Sequence, residues 1–524
     1  MTPRIVYLDN AATTPVDPRV IAAMQDCLGE EGAFANPSSV GHAPGRTAGA
    51  RVERARAEVA ALVNAAPEQV IFTSGATEAN NLALLGVARF NAKQQRHVVT
   101  SRTEHPAVLD ACRQLEREGC AVTYLQPGTG GIVDPVQIAA ALRPETLLVS
   151  LMHVNNEIGV INDVRAAGKL CRERGVLLHV DAAQSAGKVP LDMQADGIDL
   201  LSLTAHKLHG PKGIGALCVR REPRVGLVPL QFGGGQERGL RSGTLPTHQI
   251  AGMGAAFRIA REEMASDIPR IAGLRTRLWQ ALSQLPGVTL NGDPDRRVAG
   301  ILNVTVDGVE GETLLLALGD LAVSSGSACA SLNAQPSYVL RALGRSDRLA
   351  QSSLRLSLGR FTCESDIDHA AARIRQEVRR LRAGEPGPGP EGGFPDDPRY
   401  GTEVRRRVAA LPGWGEVPPG PANAAGRAGD REQGADVEVS LQVVGDRVVT
   451  ARFRAFGCPH LLAAASWAVE RLAGCSAAEV ALWDWQEAAA ELAVPPAKFG
   501  RLLTLQEAIR AAARNWPGTT RSTV

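Results

Sequence analysis

The stretch that decides the fold is Val176-Leu177-Leu178-His179-Val180-Asp181-Ala182-Ala183-Gln184. It begins as a short, mostly apolar run, which indicates a buried strand, and the run ends at a carboxylate. Ligands of open α/β sheets gather outside the carboxyl ends of the strands. Asp181 is therefore predicted to face a ligand site.

A second apolar run, Asp199-Leu200-Leu201-Ser202-Leu203, leads into Thr204-Ala205-His206-Lys207. A lysine just past a buried strand is often a snorkelling surface residue. Here, however, an amine and a carboxylate follow neighbouring strands, and this pair suits pyridoxal phosphate. The lysine would form a Schiff base with the cofactor, and the aspartate would keep the pyridine nitrogen protonated so that the ring acts as an electron sink.

The cofactor phosphate needs its own cradle. Val70-Ile71-Phe72-Thr73-Ser74-Gly75-Ala76-Thr77-Glu78-Ala79 is typical of a strand, a glycine-containing turn and the start of a helix. Backbone N–H groups, the helix dipole and the Thr77 hydroxyl could all bind an anion there. Any strand-to-helix junction can look like this, and only its spacing from Asp181 and Lys207 favours a phosphate site.

Two further candidates are a histidine and a cysteine. His105 ends Ser101-Arg102-Thr103-Glu104-His105 and could cover the cofactor or move protons near neutral pH, although a lone histidine is more often structural. Cys329 lies in Ser325-Gly326-Ser327-Ala328-Cys329-Ala330-Ser331. Residues this small cannot fill a core, so a loop from Ser324 onward is predicted, with Cys329 as the nucleophile. An arbitrary cysteine would more often be buried.

Residues 1 to about 383, called the body below, resemble a cysteine desulfurase of the IscS/NifS type, a fold-type-I pyridoxal phosphate enzyme. Besides the motifs above, the matching blocks are Tyr7–Pro15, Met152–Gly159 and Gly239–Thr244. The cofactor-binding set that the resemblance implies is Ala76, Thr77, His105, Asn156, Asp181, Gln184, Thr204, His206, Lys207 and Thr244. The implied catalytic residues are Lys207, Cys329 and His105.

The resemblance also assigns roles. Gln184 contacts the ring hydroxyl, and His105 stacks on the ring. Thr77, His206 and Thr244 bind phosphate, with Thr244 reaching in from the other subunit of a homodimer. Asn156 lies beside the cofactor and the substrate. Arg355 grips the substrate carboxylate, because its planar fork matches a carboxylate bidentately.

Three positions depart from the family pattern. Thr204 stands where serine is usual, Ala205 where glycine is usual, and Gln236 where histidine often follows the glycine-rich loop. Threonine keeps the hydroxyl that a phosphate needs, while Ala205 requires ordinary backbone dihedral angles. The role of Gln236 cannot be assigned from the sequence. The expected effect is on turnover rather than on the class of reaction.

The implied reaction converts L-cysteine to L-alanine, with the amine of Lys207 or His105 removing the α-proton. The sulfur passes to Cys329 as a persulfide and supplies iron–sulfur cluster assembly, with tRNA thiolation as a further use. Cys329 could also ligate a cluster in complexes with a scaffold protein. The alternatives are a selenocysteine lyase or aminotransferase-like enzyme, or a docking platform for iron–sulfur assembly.

Composition agrees with such an enzyme. Of the 524 residues 44% are hydrophobic, and the net charge at pH 7 is +2. Charges of both signs are dispersed, which argues against nucleic-acid binding and strong membrane attraction. The sequence opens without an apolar signal segment, and no stretch approaches a transmembrane span. Nine cysteines, an odd number without a close Cys-x-x-Cys pair, predict a reducing cytoplasm.

Apolar strand candidates alternate with helical stretches, which indicates an α/β fold with a mainly parallel sheet. The candidates lie near 70–73, 97–101, 121–125, 147–153, 176–181, 199–204 and 214–219. The predicted parts are residues 1–15, which join the small domain, 16–260 as the large cofactor domain, 261–383 as a small α+β domain with the cysteine loop, 384–399 as a linker, and 400–516 as a C-terminal α+β domain.

The linker is predicted from Gly384-Glu385-Pro386-Gly387-Pro388-Gly389-Pro390-Glu391-Gly392-Gly393, because proline and glycine at this density cannot hold regular structure. The part after the linker is called the tail. It contains a second loose stretch over 418–434. Alternating residues over 437–453 predict a hairpin about Gly445-Asp446, followed by an apolar helix over 461–472.

The tail is similar to the iron–sulfur scaffold family of the IscU/NifU-N type. The resemblance lies in Tyr400-Gly401, Ala451–Cys458 and Leu492–Lys498. That family presents three cysteines, whereas here only Cys458 matches, and Ala435 and Arg501 occupy the other two positions. Cluster or zinc binding needs several converging ligands, so a degenerate scaffold domain without a metal is predicted. Cys458 is either a sulfur acceptor or a structural cysteine.

Overall fold

The computed structural model describes residues 5–92, 97–325, 336–383 and 397–517. Its largest sheet has seven strands in the order β2-β8-β7-β6-β5-β3-β4. The strands are β2 (Val70–Thr73), β3 (His97–Ser101), β4 (Ala121–Leu125), β5 (Thr146–Met152), β6 (Leu177–Asp181), β7 (Leu200–Thr204) and β8 (Gly215–Val219). All seven predicted strands are confirmed, each to within one residue.

Only β8 runs antiparallel to its neighbours, which are β2 and β7. The other pairs in the sheet are parallel. Because two reversals restore the original direction, β2 runs the same way as β7. The carboxyl ends of β2, β3, β5, β6 and β7 therefore meet at one edge, as the fold class predicts.

Helices cover both faces of this sheet. They are α1 (Pro18–Gln25), α2 (Ala43–Leu62), α3 (Ala76–Phe90), α4 (Pro106–Arg117), α5 (Pro135–Ala141), α6 (Val164–Glu173) and α7 (Thr247–Leu282). Successive residues of β2 point to opposite faces: Phe72 belongs to a core with α2, α6 and α7, and Ile71 to a core with α3 and α4. A strand buried on both faces must be apolar throughout, which explains the runs in the sequence.

A smaller antiparallel sheet has the order β12-β13-β10-β9. Its strands are β9 (Val288–Leu290), β10 (Ile301–Val306), β12 (Ser324–Ser325) and β13 (Ser353–Ser357), and beside it β1 (Val6–Tyr7) pairs with β11 (Leu321–Ala322). The helices of this part are α8 (Gly311–Ala317), α9 (Tyr338–Ala342), α10 (Asp347–Gln351) and α11 (Glu364–Ala383). The loop expected from Ser324 is thus wrong for its first two residues, which pair with β13.

Helix α7 links the two sheets. Phe257 packs in the core of the seven-stranded sheet, whereas Leu274 and Leu278 pack in the core of the smaller sheet. The helix is continuous across the predicted division at residue 260, and that division stays a prediction. Within the described ranges, no helix is long and apolar enough to cross a lipid bilayer.

The tail is an antiparallel sheet, β14-β15-β16, covered by helices. Its elements are α12 (Thr402–Ala410), β14 (Asn423–Asp430), β15 (Ala435–Val444), β16 (Arg447–Phe456), α13 (Pro459–Leu472), α14 (Ala477–Ala481), α15 (Trp485–Glu491) and α16 (Phe499–Arg514). The hairpin about Gly445-Asp446 and the helix after Cys458 are confirmed.

The loose stretch predicted over 418–434 is wrong, because β14 lies within it. Its small residues suggested flexibility, but they are small because α16 packs directly on the strand. A Cβ atom at Gly426 would lie 2.1 Å from the backbone nitrogen of Ala512. Close approach of a helix, rather than a turn, explains this glycine.

Candidate active site

A cavity of about 500 Å³ opens at the carboxyl edge of the seven-stranded sheet. Ten of the twelve predicted site residues line it, namely Ala76, Thr77, His105, Asn156, Asp181, Gln184, Thr204, His206, Lys207 and Arg355. They come from the ends of five strands and from β13. The sheet therefore collects groups that are almost 280 residues apart in the sequence.

Asp181 ends β6 and is held by two donors. Asn80 Nδ2 lies 2.7 Å from one carboxylate oxygen, and the backbone nitrogen of Ala183 lies 2.9 Å from the other. Asn80 is buried on α3, one helical turn beyond Ala76, and it was missed by the sequence analysis. The feature of the sequence that could have identified Asn80 is that it is a polar residue on the buried face of an otherwise apolar helix.

Lys207 follows β7 in a turn that also carries His206. The Nδ1 atom of His206 lies 3.1 Å from Thr13 Oγ1. Burial and the nearby charges of Lys207 and Lys212 lower the pKa of His206 to about 4, so its ring is neutral at pH 7. A neutral ring bonded at one nitrogen can present the other nitrogen to an anion.

The N-terminus of α3 opens toward the same cavity. Gly75 is its N-cap residue, with φ at +155°, and a Cβ atom there would meet no described atom within 4 Å. Among the described residues no side chain caps this helix end, which leaves backbone donors of a 15-residue helix for a ligand. This is the geometry that the phosphate prediction requires.

His105 is the N-cap residue of α4. Its Nδ1 atom accepts a hydrogen bond from the backbone nitrogen of Ala107 at 3.1 Å. Burial and the charge of Lys207 lower the pKa of His105, so the ring is neutral. We assign its single ring proton to Nε2, because Nδ1 is an acceptor. His105 can therefore donate a hydrogen bond from Nε2.

Arg355 lies on β13 and is 1% exposed. Its Nη1 donates to the backbone oxygen of Asn156 at 2.9 Å, and its Nη2 donates to Asp9 Oδ1 at 2.8 Å. Two buried atoms at this end of the cavity, Arg355 Nε and Asn156 Oδ1, have no hydrogen-bond partner within the described structure. A donor and an acceptor left open beside a cavity indicate a polar ligand.

A half-buried lysine that the sequence analysis missed, Lys188, supports Gln184. Lys188 Nζ donates to Gln184 Oε1 at 3.1 Å, and Gln184 Nε2 donates to the backbone oxygen of Ala11 at 2.7 Å. The two contacts engage both ends of the amide and so fix its orientation. Burial and the charges of Lys207 and Arg355 lower the pKa of Lys188 to about 7. The feature of the sequence that could have identified Lys188 is its position four residues after Gln184.

Two predicted residues remain, Thr244 and Cys329. Thr244 is exposed, and Cys329 lies outside the described residues. Gln236, whose role the sequence left open, accepts a hydrogen bond from the backbone nitrogen of Gly243 at 2.9 Å. It therefore holds the segment that carries Thr244.

Ala205, where glycine was expected, is fully buried and has a negative φ. It faces Gly210, where a Cβ atom would lie 2.8 Å from the Cβ of Ala205. The extra methyl group therefore fits because Gly210 has none. The cavity lining on either side, Thr204 and His206, is unaffected.

In the tail, the register of β15 and β16 puts Ala435 opposite the segment that leads into Cys458. Arg501 donates to the backbone oxygen of Gln433 at the same end of the sheet. The three positions that would carry cysteines are thus close together. Within the described ranges, no three histidine, cysteine or acidic side chains converge in a way that could hold a metal ion.

The cavity fits pyridoxal phosphate by the chemistry of its groups. It combines an amine, a carboxylate fixed from behind, an uncapped helix N-terminus and an open amide oxygen. Lys207, Asp181 and the N-terminus of α3 would hold the aldehyde, the ring nitrogen and the phosphate.

Comparison with known proteins gives the family. The sequence profile of the Aminotransferase class-V family matches residues 6–369, more than half of the chain. Cysteine desulfurase IscS of Aeromonas hydrophila subsp. hydrophila is 58% identical over 381 residues, which cover 73% of this chain and 94% of that protein. The chain belongs to the IscS-type cysteine desulfurases. The family is pyridoxal phosphate-dependent, so the predicted cofactor is confirmed.

Two solved structures have the fold of this desulfurase. A NifS-like protein is 34% identical with a TM-score of 0.67, covering 72% of this chain and 99% of its own. A structure described as SspA in complex with cysteine is 37% identical with a TM-score of 0.61, covering 68% and 99%. The NifU-like N terminal domain family matches residues 416–523, which confirms the predicted relationship of the tail.

Proposed function

We propose that this chain takes sulfur from L-cysteine, leaves L-alanine, and passes the sulfur through Cys329 to an iron–sulfur scaffold protein. The observation that carries the proposal is the shared cavity of Lys207 and Asp181, which follow adjacent parallel strands. An amine and a carboxylate at this spacing suit one flat, nitrogen-containing ring bearing an aldehyde. The membership of the desulfurase family supports the same reaction.

When bound, pyridoxal phosphate withdraws electrons from the α-carbon of an amino acid. Asp181 would keep the pyridine nitrogen protonated, and Asn80 would keep Asp181 oriented. Gln184 Nε2 uses one N–H group on Ala11 and would offer its second N–H group to the ring hydroxyl, while its oxygen accepts from Lys188. Ala76, Thr77, Thr204 and His206 would surround the phosphate, because they line the end of the cavity formed by α3 and β7.

Lys207 is the better base for the α-proton. His105 accepts from Ala107 at Nδ1 and carries its proton at Nε2, so neither nitrogen of the neutral ring has a lone pair open to the substrate. Lys207 would, as an unprotonated amine, have a lone pair with which to accept the α-proton. His105 would then stack on the ring and donate a hydrogen bond.

Arg355 would bind the substrate carboxylate. Burial among Asp9, Asn156 and Ser324 orients its guanidinium group, and its unpaired Nε gives one donor for a new acceptor. Asn156 would contribute its open amide oxygen to the substrate or the cofactor. A planar guanidinium that is already oriented loses little entropy when it binds.

Cys329 would take the sulfur. Its thiolate attacks the substrate sulfur, a new S–S bond forms, the carbon–sulfur bond breaks, and the carbon fragment keeps the electron pair and becomes alanine after protonation. Ser324 and Ser325 pair with β13 next to Arg355, and this supports a nucleophile loop rooted at the substrate.

The proposal also covers the oligomeric state, the cellular compartment, the partners and the domain divisions. Thr244 is exposed and absent from the cavity lining, which suits a residue that serves the cavity of a partner subunit in a homodimer.

The eight cysteines of the described ranges are free thiols, which suits the cytoplasm. The balanced charge of the chain suits neither nucleic acid nor membrane partners. We keep the predicted domain divisions at residues 15, 260, 383 and 399.

Mass spectrometry after addition of L-cysteine tests the proposal. We expect one extra sulfur on Cys329 and one alanine released for each sulfur bound. Release of a keto acid, or conversion of selenocysteine but not cysteine, would instead support one of the alternative enzymes.

A further inference from the structure

The tail is packed against α8 of the body through a charged pair. Lys498 Nζ lies 2.7 Å from Glu312 Oε1 and 2.9 Å from Glu312 Oε2. The hydroxyl of Tyr400 donates to the same carboxylate at 3.2 Å. The side chains of Lys498 and Glu312 are only 15% and 27% exposed, so water weakens this pair less than a surface salt bridge.

A second charged pair has the opposite polarity. Arg348 on α10 donates to Glu432 of the tail at 2.7 Å, so the body supplies the acid in one pair and the base in the other. Because the acid and the base change sides between the two pairs, the charges attract in one relative orientation of body and tail and repel in the reversed one. Leu316 of α8 also packs within the hydrophobic core of the tail.

Cys458 lies beneath this contact. The hydroxyl of Thr313 donates to the backbone oxygen of Gly457, its neighbour, at 2.9 Å. Cys458 itself is 3% exposed. Burial raises the pKa of its thiol to about 11; the nearby charge of Lys498 lowers this pKa, and Glu310 and Glu312 of the body raise it. A buried thiol of high pKa is a poor nucleophile and a poor sulfur acceptor.

We propose that α8 and α10 are the docking surface for the chain's own tail, and that the Glu312–Lys498 pair closes this contact over Cys458. While the tail is docked, Cys458 is withheld from sulfur donors and the surface is closed to a separate scaffold domain. The consequence for sulfur transfer rests on the proposed function, but the docking itself does not.

Thiol alkylation of the full-length protein tests the docking. Iodoacetamide is added under native conditions, and the labelling rate of each cysteine is read by mass spectrometry. Neither cofactor turnover nor cysteine is needed, so failure of the docking proposal is distinct from failure of the desulfurase proposal. Exposed Cys363 is the internal reference.

The variants are Glu312→Lys, Lys498→Glu and the double exchange. We expect each single variant to raise the labelling rate of Cys458 at least tenfold relative to Cys363, and the double exchange to return it to within about twofold of the wild type. Glu262→Lys, whose partner Arg258 is on the same helix α7, is the matched control and should change nothing.

Tryptophan emission tests whether the tail of each variant is still folded, because five of the six tryptophans lie after residue 400. The single variants should keep the wild-type emission maximum. Rapid labelling of Cys458 in the wild type, or single variants with unchanged rates, would overturn the proposal. Failure of the double exchange to restore slow labelling in a protein with native emission would overturn the role of the Glu312–Lys498 pair.

Discussion

Arg355 Nη2 lies 3.3 Å from the hydroxyl oxygen of Ser324, across the antiparallel pair of β12 and β13. The arginine proposed to bind the substrate carboxylate therefore contacts the strand that precedes Cys329 in the sequence. Asp9 joins the same guanidinium from the N-terminal segment. The N-terminal segment and β12 are thus both held by one buried side chain, that of Arg355.

Arg355→Lys should raise the KM for cysteine by at least tenfold, because an ammonium group cannot hold Asp9, Ser324 and a carboxylate in one plane. Alanine release as a function of cysteine concentration measures the effect. Arg360→Lys is the control, since Arg360 bridges Asp17 and Asp267 instead. An unchanged KM in the Arg355 variant would place the carboxylate elsewhere.

Lys207→Ala should abolish the visible absorbance of lysine-bound cofactor while the fold is kept, because only an amine at this position can hold the aldehyde. Absorption spectra with and without added pyridoxal phosphate measure this. Lys212→Ala removes another amine from the same cavity and should keep the band. Persistence of the band and of turnover in the Lys207 variant would refute the assignment.

Cys329→Ser should leave cofactor absorbance and cysteine binding intact, because the thiol acts only after the substrate has bound. Sulfur release should fall by orders of magnitude. Persulfide mapping by mass spectrometry is the measurement, and Cys363→Ser serves as the exposed control. Normal persulfide formation on another cysteine would mean that the nucleophile is not Cys329.

Lys188→Met should lower kcat about tenfold, equivalent to about 1.4 kcal/mol in the barrier. The reason is that Gln184 loses the donor that fixes its amide, and the absorbance maximum of bound cofactor should shift as well. Lys188→Arg should recover part of both, since it restores a donor. Lys169→Met, an exposed lysine on α6, is the control. Equal loss in the Arg and Met variants without a spectral shift would indicate a packing role only.

His179→Gln should reveal a pH-dependent contribution to stability. The buried ring of His179 lies between Ser150 and Ser202, and burial lowers its pKa to about 4 from an ordinary 6.5. The unfolded state therefore binds a proton between pH 6.5 and 4 that the folded state does not, so the contribution falls as the pH falls.

Relative to this variant, the wild type should lose about 2 kcal/mol of unfolding free energy between pH 7 and pH 5. Urea unfolding at the two pH values gives the difference. A difference between the two proteins that is independent of pH would show that His179 is not held neutral.

Much of the site was predictable because each motif is local. A buried strand must be apolar along its length, and a polar residue at its end faces the carboxyl edge of a parallel sheet. Asp181, Lys207 and His105 could therefore be placed from short stretches. Asn80 and Lys188 could not, since each matters only through a partner that the fold brings to it. The strand β14 was missed because its small residues fit against α16, a contact made across more than 80 residues.

The sequence by itself determined the α/β alternation, the pyridoxal phosphate cofactor and the relationship of the tail to the NifU-like N terminal domain family, whereas the linker, most of which lies outside the described residues, stays a prediction. Only the tertiary structure decided that Asn80 holds Asp181 and Lys188 holds Gln184, that Ser324 of β12 contacts Arg355, and that α8 of the body packs beside Cys458 of the tail. The physical reason is that periodicity and motifs report local burial and chemistry. A hydrogen bond or salt bridge between distant segments depends on the packing of whole elements, and local composition does not specify that packing.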